Sequence, residues 1–288
     1  MPAPLLLCDT PGLLYRGFFS VPDKVKGAEG RPVNALLGSA NQALWCVQKY
    51  RPRAVVMCFG QESADYRVEA YPDYHAARPE MPGDLAWQWE RAGDFYRALG
   101  WTVLGHESLE ADDLMGSLAA VEAEAGGTAL ILTADRDMYQ CVTDQVMVLQ
   151  QRARQQGPDE VGPEQVREIY GIEPAQVPDF IALRGDPSDG LPGGKGIGEK
   201  TAADLLKRHG SLEAALASWS RERPARVAGA LRDQADELRT FKDIATLRTL
   251  DVELPPDTDT DFEGGAKAAR ERGMEQLAGR LEKAAGPA

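Results

Sequence analysis

The stretch LRGDPSDGLPGGKGIGEKT, from Leu183 to Thr201, carries the most specific pattern in the chain. It combines two acids, Asp186 and Asp189, with a run of glycines around a Pro-Gly turn and a predicted helix start at Lys200. Glycine lets a backbone approach a ligand closely, and the N–H groups of a helix start favour an anion. Acids beside such a loop indicate a metal cation between carboxylate and phosphate. The segment predicts a metal-dependent enzyme acting on a polyphosphate or a nucleic acid backbone.

Two familiar phosphate-binding loops do not match this segment. The Walker pattern requires Gly-Lys-Ser/Thr, but Glu199 stands between Gly198 and Lys200. The dinucleotide pattern GxGxxG has Gly194 and Gly196 but meets Glu199 where the third glycine is required. Taken alone, the segment is also compatible with an ordinary glycine-rich surface turn.

Composition sets broad limits on the protein class. A chain of 288 residues suits one large or two modest domains, and no stretch has the apolar length of a membrane span. The N-terminal run is too short for a signal peptide, and the four cysteines lack CxxC spacing, which argues against a zinc knuckle or a disulfide framework. We therefore expect a cytoplasmic protein without a membrane partner. The formal net charge of −13 argues only weakly against DNA binding, because many acids are expected in one metal cluster.

Short apolar runs alternate with longer helical patterns, which is typical of an α/β domain with a mostly parallel sheet. The predicted strands are Leu5–Cys8, Ala54–Phe59, Thr102–Leu104, Ala129–Thr133 and Gln145–Leu149, with Val252–Leu254 as a last strand. The predicted helices are Val33–Tyr50, Leu85–Leu99, Ala111–Ala125, Pro163–Tyr170, Pro174–Arg184, Lys200–His209 and Leu212–Ser218. We predict a catalytic α/β domain over residues 1–155, a helical module over 156–250, and a return segment and tail over 251–288, with one helix and a frayed end after Gly264.

Acids follow several of the predicted strands. They are Asp9 after the first strand; Glu110, Asp112 and Asp113 after the third; and Asp135 and Asp137 after the fourth. Asp186 and Asp189 lie near the glycine-rich turn. In open parallel sheets, ligands bind beyond the carboxyl ends of the strands, so these side chains are expected to meet at one edge.

Each acid alone has a structural alternative as a helix cap or a turn residue. Together they are costly, because two unit charges about 4 Å apart repel by roughly 4 kcal/mol at an effective dielectric near 20. Divalent cations would neutralise such a cluster, and all-oxygen ligands favour Mg²⁺ or Mn²⁺ over zinc. Two ions about 4 Å apart can support phosphodiester hydrolysis. The acids therefore predict a two-metal site.

These motifs resemble the bacterial 5′-nuclease family, which comprises the 5′–3′ exonuclease domain of DNA polymerase I and its stand-alone and phage flap-endonuclease relatives. The resemblance covers about Leu5 to Leu254 and keeps motif order. It rests on LLLCDTPGLLYRGF, YRVEAYPDYHAARPEMP, LEADDLMGSLA, ILTADRDMYQ and GDPSDGLPGGKGIGEKTA. It implies a PIN-like α/β fold followed by a helix–three-turn–helix DNA-binding module at about residues 178–208. No polymerase domain follows in this sequence, so we expect the stand-alone form.

The resemblance also implies roles for individual residues. One divalent ion would be held by Asp9, Glu110, Asp112 and Asp113, and the other by Asp135, Asp137, Asp186 and Asp189. A potassium ion would be bound by the backbone carbonyls of Leu183, Arg184, Pro192, Gly194 and Ile197. Arg78, His75 and Asp113 would be catalytic, within or beside a helical gateway near residues 66–98. DNA would be contacted by Arg16, Arg67, Tyr74, Arg78, Lys195, Gly196, Ile197, Gly198, Glu199, Lys200 and Thr201.

The gateway segment also supports this interpretation by its own composition. Tyr66, Arg67, Tyr74 and Arg78 interleave aromatics with cations, as in platforms that stack bases and pair phosphates. The alternative is an ordinary amphipathic linker whose arginines extend to solvent.

Two positions depart from the family pattern. The family usually has an aspartate where this chain has Gly60, and a lysine where it has His75. Loss of one carboxylate and of a permanent cation predicts a slower or more Mn²⁺-dependent enzyme, because outer contacts typically tune a metal site about 10–100-fold. Glu62 or Asp65 could replace the missing carboxylate.

The leading hypothesis is a metal-dependent 5′–3′ exonuclease or flap endonuclease of replication or repair. It would act as a monomer on 5′-flap, nicked or 5′-ended DNA near the bacterial nucleoid. The alternative, motivated by Gly60 and His75, is a structure-selective DNA-binding protein with weak or no catalysis. A ribonuclease of the related small-nuclease class fits less well, because that class lacks the glycine-rich module.

Overall fold

The computed structural model describes residues 3–28, 30–152 and 157–286. Within these ranges six strands form one sheet: β1 Leu5–Asp9, β2 Ala54–Phe59, β3 Thr102–Gly105, β4 Ala129–Thr133, β5 Val146–Gln150 and β6 Asp159–Val161. Their spatial order is β3-β2-β1-β4-β5-β6. All neighbouring pairs are parallel except β5 and β6, which are antiparallel. The predicted mostly parallel α/β sheet is therefore confirmed.

The strands are apolar on both faces because helices cover both sides of the sheet. In β1, Leu5 and Leu7 belong to one hydrophobic cluster, whereas Leu6 and Cys8 belong to the other. The helices of this part of the chain are α1 Thr10–Ser20, α2 Asn34–Tyr50, α3 Asp65–Ala70, α4 Gly83–Ala98 and α5 Ala111–Glu124. Helices α1, α2 and α4 contribute to the second cluster and α5 to the first.

A helical module follows the sheet. It contains α6 Pro163–Tyr170, α7 Val177–Arg184, α8 Glu199–His209, α9 Leu212–Ala217, α10 Ala225–Asp233 and α11 Ala235–Ala245. Its apolar side chains, such as Phe180, Leu206 and Phe241, share one cluster with Leu5 and Ile131 of the sheet. Sheet and module are thus joined by a continuous apolar core. Across the described residues, no helix combines the length and apolarity needed to cross a membrane.

The sheet extends beyond the domain boundary predicted between residues 155 and 156. That boundary lies outside the described residues, but β6 follows it and pairs with β5 through Val148 and Val161. The sheet domain therefore runs to at least Val161. The sequence did not indicate β6, because a strand of three residues reading DEV carries no alternation that distinguishes it from a loop.

The C-terminal region also differs from the prediction. Two helices, α12 Phe262–Glu271 and α13 Glu275–Ala285, replace the single helix and frayed end that were expected. Ala269 and Leu277 are buried in the same cluster as Phe95 of α4, so these helices complete the core on that face. The predicted strand at Val252–Leu254 is wrong: these residues have no strand structure and belong to the connection between α11 and α12.

A buried glutamine caps helix α2 from another helix. The residue before α2, Val33, offers no side-chain cap, and Gln88 of α4 accepts hydrogen bonds from the N–H groups of Ala35 (2.8 Å) and Leu36 (3.3 Å). Its amide nitrogen donates to Asn34 Oδ1 at 3.1 Å. Gln88 therefore satisfies donors at a buried helix start that would otherwise have no partner.

We predict that Gln88→Leu lowers the free energy of unfolding by about 1–3 kcal/mol, because buried N–H groups lose their acceptor. Urea unfolding monitored by circular dichroism measures this change. The matched control is Glu90→Leu, an exposed position of the same helix. Equal stability of the two variants would contradict the capping role.

Candidate active site

The sheet topology creates a switch point between β1 and β4. From β1 the chain proceeds outward through β2 and β3 on one side, and through β4, β5 and β6 on the other. Ligands of open parallel sheets bind at the carboxyl ends of strands beside such a point. Asp9 is the last residue of β1, and Asp135 follows the end of β4 by two residues. Two predicted site acids therefore flank the switch point.

Local hydrogen bonds orient these acids. Asp9 accepts from the N–H of Gly12 at 2.9 Å and from the hydroxyl of Thr133 at 2.8 Å. Asp135 accepts from the N–H of Asp137 at 2.8 Å. Sequence reasoning missed Thr133, although it is the first residue of TADRD. It ends β4 and directly follows Leu132, which pairs with Cys8 of β1.

The acids lie close enough to disturb one another's ionisation. Burial, and after it the charges of Asp189, Asp9 and Asp186, raise the pKa of Asp135 to about 7. Burial and then Asp135 raise the pKa values of Asp112 and Asp137 well above their ordinary value. Six of the predicted acids, from four separate parts of the sequence, therefore form one electrostatic cluster.

The pKa of Asp9 is also raised, by burial, although its hydrogen bonds from Gly12 and Thr133 and the charge of Arg78 oppose the shift. The Arg78 guanidinium lies near the cluster, 3.4 Å from Asp189. A cation at the acidic edge is what a phosphate-binding site requires.

Asp186 and Asp189 enter from the helical module. The backbone of Asp186 pairs with Leu191 in both directions at 2.8 Å, and its carboxylate accepts from Arg184 at 3.1 Å. Asp189 accepts from the His75 ring at 3.0 Å and lies 3.4 Å from Arg78. Both carboxylates are buried, so the module contributes directly to the acidic cluster.

Asp113 is not available to a ligand in this structure, contrary to its predicted metal-binding and catalytic role. It is fully buried and forms two hydrogen bonds with Arg67, at 2.8 and 2.9 Å. It also accepts from the backbone N–H groups of Glu110 at 3.2 Å and Arg248 at 2.7 Å. An ionised carboxylate has about four acceptor sites, and here four donors occupy them. Asp113 is therefore a structural partner of the acids beside it.

Glu110 is also held by the gateway. Its carboxylate accepts from the N–H of Ala64 at 2.8 Å and the hydroxyl of Tyr74 at 3.1 Å, and lies 3.3 Å from Arg67. Asp112 follows it in the first turn of α5 and is only half-buried. Of the three acids in LEADD, Asp112 has the greatest freedom to meet a ligand.

Two gateway residues predicted to contact DNA are buried instead. Arg67 is 3% exposed and Tyr74 is 5% exposed, so neither side chain can present itself to a nucleic acid as the structure stands. Tyr74 stacks on His75 at 3.7 Å between ring centroids. The aromatic and cationic spacing of the gateway therefore serves internal packing at these positions. Burial of Arg67 depends on partners far along the chain, which local spacing does not reveal.

The two gateway residues predicted to be catalytic, His75 and Arg78, differ in accessibility. His75 is buried, and its Nδ1 lies 2.9 Å from the Ser63 hydroxyl and 3.0 Å from the Glu62 carbonyl. Arg78 has 47% of its side chain exposed. His75 therefore anchors the gateway to Asp189, whereas Arg78 is placed at the solvent side of the acids.

Gly60 stands where the family usually has an aspartate, and the structure leaves no room for a side chain there. A Cβ atom at Gly60 would lie 2.4 Å from the nitrogen of Ala111 and 2.5 Å from the carbonyl carbon of Glu110. These are backbone atoms of the segment that leads into α5. Glu62, a suggested replacement, accepts a hydrogen bond from Tyr15 at 3.0 Å, and Asp65 is exposed at the start of α3.

The glycine-rich segment forms a tight turn between α7 and α8. Gly193 has φ +66°, and a Cβ there would lie 2.3 Å from the nitrogen of Gly185. Among the residues of the segment predicted to contact DNA, the exposed ones are Lys195, Gly196, Gly198, Glu199 and Lys200, and Thr201 is half-buried. Ile197 is buried, and its N–H donates to the Gly194 carbonyl, so its role toward DNA cannot be a side-chain contact.

The predicted potassium ligands lie at the same turn. The carbonyl of Leu183 accepts from Gly194 N–H and that of Gly194 from Ile197 N–H, both at 2.8 Å, so two of the five carbonyls already have a hydrogen-bond partner. Arg16, the remaining predicted DNA contact, is half-buried in α1 and donates to the carbonyl of Arg152.

The donor set suits a hard divalent cation by its chemistry. The clustered groups are all carboxylates, and their pKa values are raised first by burial and then by the negative charge of their neighbours. Within the described ranges, no three His, Cys, Asp or Glu side chains are arranged closely enough to enclose one ion as they stand. Divalent ions would therefore require side-chain adjustment, for which half-buried Asp112, Asp135 and Asp137 have room.

We predict that Asp135→Asn raises the melting temperature in EDTA at pH 8 but not near pH 4. From the ordinary pKa of 3.8 up to about 7, the unfolded chain loses a proton that folded Asp135 retains, so its contribution to stability falls as pH rises. Asparagine removes this penalty and keeps an acceptor for Asp137 N–H. Thermal melts at both pH values, with Asp236→Asn as an exposed control, measure the effect. A wild type that melts at a higher temperature than Asp135→Asn at pH 8 would contradict the assignment.

We predict that Gly60→Asp does not strengthen the metal site. Its side chain must displace the backbone before α5, and overpacking typically costs about 1–3 kcal/mol. Both Gly60→Asp and Gly60→Ala should lower the melting temperature and weaken Mn²⁺ binding, measured by titration of free Mn²⁺ with electron paramagnetic resonance. Tighter Mn²⁺ binding by the aspartate variant alone would show that the missing carboxylate matters more than the space.

Comparisons with known proteins agree with this architecture. Residues 4–171 match the model of the 5′-3′ exonuclease N-terminal resolvase-like domain, and residues 172–266 match the 5′-3′ exonuclease C-terminal SAM fold. The thermostable DNA polymerase I of Thermus thermophilus is 38% identical over 263 residues, which are 90% of this chain and 31% of that protein. DNA polymerase I of Mycobacterium tuberculosis is 36% identical over 256 residues, covering 88% and 28%. The chain thus spans under a third of these relatives.

Solved structures share the fold at low sequence identity. The flap endonuclease of bacteriophage T5, in a complex with DNA and metal ions, has a TM-score of 0.70 and 15% identity, covering 99% of this chain and all of that one. The catalytic core of Rad2 with a DNA substrate has a TM-score of 0.65 and 13% identity, covering 96% and 90%. Since the two family models together account for nearly the whole sequence, the chain belongs to the 5′-3′ exonuclease family.

Proposed function

We propose that the protein is a metal-dependent 5′-nuclease that hydrolyses DNA phosphodiesters at 5′ ends and 5′ flaps. The observation that carries the proposal is the acidic cluster at the switch point, to which the helical module adds Asp186 and Asp189. Membership of the 5′-3′ exonuclease family supports the same reaction. Replication or repair of bacterial DNA is the setting that the polymerase relatives suggest, and we propose that the protein acts there as a monomer.

The proposed ligands of one ion are Asp9, Glu110 and Asp112, and those of the other are Asp135, Asp137, Asp186 and Asp189. When bound, Mg²⁺ or Mn²⁺ would supply an activated water and stabilise the leaving oxygen. A related T5 5′-exonuclease has been solved with zinc, which supports divalent ions at this fold. Potassium at the backbone of the glycine-rich turn remains part of the proposal.

Arg78 is the residue proposed to bind the scissile phosphate. Its side chain is half-exposed, it lies 3.4 Å from Asp189, and its charge reaches Asp9. A guanidinium can pair with two phosphate oxygens and cannot lose its charge near neutral pH. Arg78 therefore lies between the acids and the solvent, on the side from which a DNA strand would approach.

The start of α8 is proposed to hold the duplex part of the substrate. This helix has no side-chain cap, so its first N–H groups are available for an anion. Lys195 and Lys200 are exposed beside them. Contacts of this kind position a duplex through phosphates without reading its sequence.

The alternative is a DNA-binding protein with weak or no catalysis, favoured by the glycine at position 60 and by His75 in place of lysine. Salt-sensitive binding to branched DNA would then occur without cutting. The two functions differ in one observable, the metal-dependent release of product.

We expect cleavage of labelled 5′-flap and nicked DNA with Mg²⁺ or Mn²⁺ and none in EDTA. Asp112→Asn should lower the single-turnover rate about 100-fold or more, because it weakens the binding of the ion that would stabilise the developing charge. Asp236→Asn, a fully exposed acid of α11, is the matched control. Binding of flap DNA without cleavage in millimolar Mn²⁺ would establish the alternative. Comparing matched RNA flaps separates a ribonuclease.

A further inference from the structure

Arg67 is the most completely buried cation near the acidic cluster. It lies in α3, is 3% exposed, and donates from Nε to the carbonyl of Ile244 at 2.9 Å. Its other two nitrogens pair with the carboxylate of Asp113 at 2.8 and 2.9 Å. One guanidinium thus connects the gateway, the first turn of α5 and the end of α11.

The same contacts reach the acids proposed to hold a divalent ion. Arg67 Nη1 lies 3.3 Å from Glu110 Oε1. Through Asp113 it also fixes the backbone N–H of Glu110, which donates to Asp113 Oδ2 at 3.2 Å. Asp112 stands between Glu110 and Asp113 in that turn. The orientation of this turn therefore depends on a side chain that cannot itself reach a substrate.

The helical module is included in this connection. The N–H of Arg248 donates to Asp113 Oδ1 at 2.7 Å, beside the Arg67 contact to Ile244. Ile244 lies in the last turn of α11, and Arg248 lies in the segment that follows this helix. Removing Arg67 would leave the Asp113 carboxylate buried with only backbone donors, which is strongly unfavourable for a charge.

We propose that Arg67 is a positioning residue, which holds Glu110 and Asp112 for a divalent ion by fixing Asp113 and the end of α11, and that it does not contact DNA. This inference rests on the proposed function. Partners that orient ligands in this way typically change metal affinity about 10–100-fold. Lysine cannot replace the arrangement, because an ammonium lacks the planar fork that meets both Asp113 oxygens and Ile244.

The test compares wild type with Arg67→Lys and Arg67→Met. Mn²⁺ affinity without DNA is measured by electron paramagnetic resonance, flap-DNA affinity in EDTA by fluorescence anisotropy at several salt concentrations, and folding by thermal melts. Arg97→Gln, an exposed arginine of α4, is the control. We expect Mn²⁺ to bind about tenfold more weakly to Arg67→Lys, and more weakly still to Arg67→Met if it folds.

DNA affinity in EDTA should stay within about twofold of wild type, with an unchanged salt slope. A phosphate contact would instead reduce that slope by about 1. Weaker DNA binding with normal Mn²⁺ affinity would overturn the inference and make Arg67 a DNA contact. Normal values of both for folded Arg67→Lys would leave only a packing role and also overturn it. If wild type itself binds no Mn²⁺, the proposed function fails.

Discussion

The burial of carboxylates side by side, and the repulsion between them, is the constraint on which the site depends. Burial and neighbouring charge raise the pKa values of Asp112, Asp135 and Asp137, and similar forces act on Asp9. Such a cluster opposes folding whenever its members are ionised, and the whole stability of a domain is only about 5–15 kcal/mol. The fold can hold it because the acids sit on separate elements around a rigid sheet edge. A bound cation is attracted by every one of these carboxylates. The same charges that repel one another in the free protein therefore give the site its affinity for the ion.

The arginines near this edge have separate functions because their partners differ. Arg67 is committed to Asp113, and Arg184 contacts Asp186 at 3.1 Å. Arg78 contacts Asp189 at 3.4 Å and the Glu62 carbonyl at 3.2 Å, and it keeps about half of its side chain in solvent. Cations that are tightly paired hold the framework, whereas the loosely paired one remains able to exchange its partner for a phosphate. This division explains how an acidic protein can present positive charge where a DNA strand would enter.

Sequence patterns predicted the parts of the molecule that depend on local or periodic signals. The apolar runs gave strands β1 to β5 to within about one residue, because a strand covered on both faces must be apolar throughout. Acids after strands predicted the cluster, since strand ends meet at one edge of a parallel sheet. The pairing of Arg67 with Asp113 could not be predicted, because the two residues are 46 positions apart. The residues around Arg67 also carry no local signal that its side chain is buried. The burial of Tyr74 escaped prediction for the same reason.

The two departures from the family pattern are connected by charge and by space. Relative to that pattern, Gly60 removes one carboxylate and His75 removes one permanent positive charge. The space left by the missing carboxylate is filled by the backbone before α5, which lies within 2.6 Å of where a Cβ would be. His75, shorter than lysine, instead stacks on Tyr74 and hydrogen bonds to Asp189. The space beside Gly60 and the contacts of His75 are therefore both occupied. An aspartate at position 60 or a lysine at position 75, restored alone, would meet a site that is already packed without it.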